Sequence, residues 1–92
     1  MNYLYTVWFR NNTLQPDEQD YEWPACILID AESEEKAIEW GNQLANKRLN
    51  KIKTEMFLRA TAEAVEDDSK EELQSMPKVK YGIESTDDQI GW

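Results

Sequence analysis

Ninety-two residues set an upper limit of one small domain, and nineteen acidic against ten basic residues leave it with a net charge of −9. Forty per cent of the residues are hydrophobic, including four Trp, four Tyr and two Phe, enough for an ordinary globular core. With no histidine, one cysteine and no apolar run near the roughly eighteen residues of a membrane span, the composition disfavours several function classes.

Each absence has a chemical consequence. Without histidine there is no Ser-His or Cys-His nucleophile pair and no imidazole metal ligand. Carboxylates or lysine alone can run acid-base chemistry, so the reading leans against an enzyme without excluding one. Cys26 stands alone, which rules out an intramolecular disulfide and four-cysteine metal sites. The apolar run from Tyr3 to Phe9 is too short for a signal peptide and has no basic residue before it, so the expected location is cytoplasmic.

Tyr3 to Phe9 reads as a first strand, rich in aromatic and β-branched residues. Tyr3, Tyr5, Val7 and Phe9 fall on one face, Leu4 and Trp8 on the other. A strand apolar on both faces belongs in the centre of its sheet. A polar connection then runs from Asn11 to about Glu22, containing Pro16 and the acidic residues Asp17, Glu18, Asp20 and Glu22. It lacks the ligand spacing and turn glycine of an EF-hand, so a solvated loop is expected and no metal site is assigned.

A second strand follows from Trp23 to Ala31 and feeds directly into a helix. Ser33 is placed as the N-cap, with Glu34 and Glu35 complementing the positive end of the helix dipole. Ala37, Trp40, Gly41, Leu44, Ala45 and Arg48 recur at three- and four-residue steps, predicting one amphipathic helix over Glu34 to Asn50. Gly41, a poor helix former, signals close approach of that helix to the sheet. The basic run Lys47, Arg48, Lys51 and Lys53 is read as cations favoured at the helix C-terminus.

Glu55 to Val65 admits two readings. Its Ala, Glu and Met content with Thr54 as a cap suits a helix, whereas Met56, Leu58, Ala60, Ala62 and Ala64 alternate as in a strand. The strand is preferred, because a second helix here would leave the second strand without a parallel partner. Ser69 to Glu72 fits a capping box opening a short helix that Pro77 ends. Lys78 to Glu84 alternates once more, its lysines suiting a sheet edge. Residues 85–92 lack periodicity and are read as a mobile tail beyond a domain of residues 1–84.

The expected fold is therefore α+β: a mostly antiparallel sheet of about four strands in ββαβ(α)β order, with one long helix packed on one face. That order resembles the split βαβ arrangement of ferredoxin-like folds, a resemblance of topology that carries no activity with it. Asp30, ending the second strand before the helix, occupies a position where α/β proteins often bind ligands, although a hydrogen bond to the helix start is the plainer expectation. No glycine-rich phosphate loop, nucleophile elbow or zinc pattern is present, and no cofactor is assigned.

Three functions fit these residues. The first is a non-catalytic interaction module that self-associates through its sheet, because Leu4, Trp8, Cys26 and Leu28 form a second face too apolar to leave in water. The second is an acidic inhibitor or regulator occupying the basic site of a nucleic-acid-binding or toxic protein. The third is a small ligand-binding protein or enzyme with a site near Trp8 and Trp23. Leu4, Trp8, Tyr21, Trp23 and Leu28 make up the candidate interaction surface, its partner a second copy or another, basic, protein. Nucleic acid and anionic membrane are disfavoured by the charge.

Overall fold

Strand β1 (Asn2–Asn11) lies inside a four-stranded sheet of order β3-β1-β2-β4, with β2 (Glu22–Asp30) on one side and β3 (Glu55–Ala64) on the other. The computed structural model describes residues 1–19, 21–65, 75–83 and 90. Helix α1 (Glu34–Lys51) links β2 to β3, and the short β4 (Lys78–Lys80) completes the sheet beside β2. Both β2 and β3 run antiparallel to β1, so the two strands joined by the helix are parallel with β1 between them. This is the split βαβ arrangement, and Glu55–Ala64 is a strand. The parallel neighbour to which β2 is bonded is nevertheless β4 and not β3, because β1 occupies the intervening place.

Alternation decides which residues meet the helix. Tyr3, Tyr5, Val7 and Phe9 are all buried, and they pair directly with Ile29, Ile27, Ala25 and Trp23 of β2. Across the other side of β1, Ala64, Ala62 and Ala60 continue the same face before the register slips between Trp8 and Phe9, where Leu58 is the extra residue of a β-bulge. Pro24 is tolerated in β2 because β4 pairs only from Leu28 onward, leaving no strand of the described residues beside Pro24 to need its missing N–H.

The helix begins as its sequence demands. Ser33 is extended, and its hydroxyl accepts from the Lys36 backbone N–H at 3.2 Å. Ala37, Gly41, Leu44 and Ala45 form the buried stripe, with Ile38, Trp40 and Leu49 partly buried beside it. Gly41 sits against the ring of Tyr5, where an added Cβ would collide with three ring carbons. The Tyr5 hydroxyl, fully buried, donates to Asn42 Oδ1 at 2.7 Å, so ring and hydroxyl are both seated on α1.

Three expectations are corrected. The strand read over Lys78 to Glu84 stops at Lys80: Gly82 takes φ +82, the Ile83 N–H turns back to the Lys80 carbonyl, and Ile83 is left exposed. Ile90, inside the stretch read as a tail, is 3 % exposed and belongs to the core cluster, so the chain is anchored at that residue. Asp30 does not bond to the helix start; its carboxylate accepts from the Met1 amino group at 3.1 Å. The capping box at Ser69 to Glu72 lies outside the described residues.

Two predictions test the helix seat. Gly41→Ala gains about 1 kcal/mol of helix propensity but overpacks the Tyr5 ring at a cost of about 1–3 kcal/mol. The expected net outcome is a lower denaturation midpoint, and a raised midpoint would mean the ring has room to yield. Burial also pushes the Tyr5 phenol up from its ordinary value. The folded state then holds a proton that the unfolded state releases above about pH 10, so stability is intact below that pH and falls as pH rises beyond it. Tyr5→Phe should flatten this alkaline slope in urea titrations at a series of pH values; an unchanged slope refutes the assignment.

Candidate functional site

The residues read from sequence as one interaction surface occupy three different places. Leu4 and Trp8 are half-buried on the face of the sheet opposite α1, and Leu28, paired with Leu4, lies fully buried on that same face. Trp23 pairs with Phe9 and therefore faces the helix, its ring 5.2 Å from that of Phe9. Tyr21 lies before β2, with the Arg10 guanidinium 5.2 Å from its ring centre. Trp8 pairs with Pro24 on the far side, so Trp8 and Trp23 are not two walls of one cleft.

The helix-free face also differs from the bare apolar surface expected. Leu4, Trp8 and Cys26 are only partly accessible, and the Arg59 guanidinium lies 4.8 Å from the Trp8 ring centre. Cys26 Sγ is 3.6 Å from the Thr6 hydroxyl. By register, Arg10, Arg59, Lys78 and Lys80 share this face with Glu22, Asp30 and Glu63. It is therefore close to neutral in a chain of net charge −9.

The two edges of the sheet are unequal. At one, β4 is three residues long and exposes Lys78 and Lys80, a short, charged edge of the kind that discourages strand addition. At the other, β3 is ten residues long and has no second neighbour among the described residues. Met56, exposed on the helix-free side, and Arg59, Thr61 and Glu63 line that edge.

What holds β3 in place is a cluster the sequence reading missed. Glu55 Oε1 takes two donors from Arg48, Nε at 2.9 Å and a terminal nitrogen at 2.8 Å. Its other oxygen accepts from the Trp23 indole at 2.9 Å. The Arg48 guanidinium also lies 5.0 Å from the Trp23 ring centre, and the Glu55 side chain is 5 % exposed. Arg48 is thus more than a cation at a helix terminus. The available signal was its place on the apolar stripe of the helix, where a charged residue needs a buried partner.

A separate cleft of about 330 Å³ opens at the end of β2, lined by Asp30, Ala31, Glu32, Lys36, Lys80 and Tyr81. Asp30 binds the Met1 amino group, and Lys36 lies 4.0 Å from Glu39 and over the Tyr81 ring, whereas Glu32 and Lys80 make no ion pair with another described residue. Of the acidic connection, Asp17, Glu18 and Glu22 are exposed and Asp20 lies outside the described residues. No group of three or more metal-ligating side chains occurs among the described residues, and none of their helices is long and apolar enough to cross a membrane. Comparison with protein families, curated proteins and solved structures gives no match.

The cluster generates a prediction. Arg48→Leu strands the Glu55 carboxylate in a buried site and should cost about 3–5 kcal/mol. Adding Glu55→Gln, which keeps an acceptor for Trp23 without the charge, should recover part of that loss in denaturant melts. A single variant as stable as wild type would show that the pair is solvated in solution.

Proposed function

We propose that this chain is a non-catalytic protein-interaction module that associates with a second copy of itself through its sheet. The inequality of the two edges carries this reading: β4 is short and guarded by lysines, whereas β3 is ten residues long and has no neighbour on its outer side among the described residues. A long open strand is a template for pairing with another chain. Electrostatics favour the same region. Two copies of charge −9 repel over most approaches, and the sheet face next to β3 is where the charges of either sign nearly cancel.

Sedimentation equilibrium of the wild-type chain, from micromolar to millimolar concentration, tests the proposal. The expected outcome is an average mass that rises with concentration toward twice that of one chain. A mass that stays at one chain up to the millimolar range overturns it.

A further inference from the structure

The self-association reading above says that the sheet is used; the residues of β3 specify how. We infer that two copies join by antiparallel pairing of β3 with β3 about a two-fold axis through Thr61, giving one continuous sheet with four strands from each copy.

The backbone sets which groups are available. The Val65 N–H donates to the Asn2 carbonyl at 2.9 Å, and β1 and β3 are in continuous antiparallel register from there to the bulge. In such a ladder successive residues bond alternately inward and outward. Arg59, Thr61 and Glu63 therefore bond to β1, and Ala60, Ala62 and Ala64 turn their N–H and C=O groups to the open edge. With the axis at Thr61, Ala60 of one copy forms a hydrogen-bonded pair with Ala62 of the other. Thr61 meets Thr61, and Arg59 meets Glu63, as non-hydrogen-bonded pairs, where side chains come closest.

Charge selects this register from its neighbours. An axis at Arg59 or Glu63 sets like charges directly opposite each other, which is unfavourable. An axis at Ala60 or Ala62 places a charge opposite Thr61 and leaves it unmatched. The Thr61 axis alone among these makes two Arg59–Glu63 pairs at once. Both side chains are exposed, and neither makes an ion pair with another described residue. On the helix side the paired residues are alanines, too small to hold the strands apart. The bulge at Leu58 limits the regular segment to the residues that the register uses.

Charge reversal tests the register. Arg59→Glu alone creates two Glu–Glu contacts and Glu63→Arg alone creates two Arg–Arg contacts, so each should weaken association tenfold or more. An equimolar mixture of the two should form a heterodimer with both contacts attractive, and the double variant Arg59→Glu/Glu63→Arg should restore the homodimer. Arg59→Glu also removes the contact with Trp8, so a second readout does not depend on it. Thr61→Cys in a Cys26→Ser background should cross-link under mild oxidation, since a non-hydrogen-bonded pair brings Cα atoms to about 4.5 Å. Ala62→Cys, which faces Ala60 of the other copy, should not cross-link. A dimeric wild type whose association ignores both reversals, with no cross-link at position 61, overturns the register while leaving self-association intact. A wild type that is monomeric throughout overturns the reading on which the register rests.

Discussion

One carboxylate, that of Glu55, is shared between the last turns of α1 and the first residues of β2, and its place fixes where β3 begins. A buried carboxylate is costly to desolvate unless several donors meet it. Here Arg48 supplies two and the Trp23 indole a third. The helix cannot rotate, nor β3 slide by a residue, without breaking one of these bonds. A slide of one residue would also carry Ala60 and Ala62 to the wrong face of the sheet. The order of charges along the open edge therefore depends on a contact at the other end of the strand.

At the middle of the molecule the constraint is steric. Gly41 lets the helix backbone rest on the Tyr5 ring, and the hydroxyl of that ring continues to Asn42. This draws α1 onto an interior strand, while Ala62 of β3 joins the core and Ala60 packs against it. Alanine is a weak β-former, and its use here follows from the closeness of the helix. On the helix side, the same small residues leave the stretch from Ala60 to Ala64 free of bulky side chains. The alanines that pack beneath the helix are also the residues that the proposed β3 pairing would bring together.

Much of this was legible in the sequence because it rests on local chemistry. Ser33 followed by Glu34 and Glu35 marks a helix start, Gly41 marks close approach, and the alternation from Met56 to Ala64 marks a strand despite its helix-like composition. What was not legible depends on distant partners. Nothing near Glu55 announces that Arg48 and Trp23 converge on it. The bulge at Leu58 interrupts an alternation that looks unbroken as text. The ending of β4 at Lys80 depends on the positive φ of Gly82, and the burial of Ile90 is invisible where no periodicity surrounds it. The candidate surface failed to assemble for a simpler reason: Trp8 and Trp23 pair with residues one step apart in register, which sends them to opposite faces.

The position of β1 has a further consequence, in time more than in space. It is the first strand of the chain and an interior one of the sheet, and β2 can join it early through a local hairpin. Its other side waits for β3, which pairs Tyr3 with Ala64 and arrives only after the helix has crossed over. Pairings so distant in sequence form slowly, because loop closure must precede them. Until β3 pairs, the hairpin of tyrosines, valine and phenylalanine keeps an unsatisfied edge on the outer side of β1. Acidic residues stand at both ends of that hairpin, in the loop before β2 and at the start of α1, where like charge opposes the approach of a second copy.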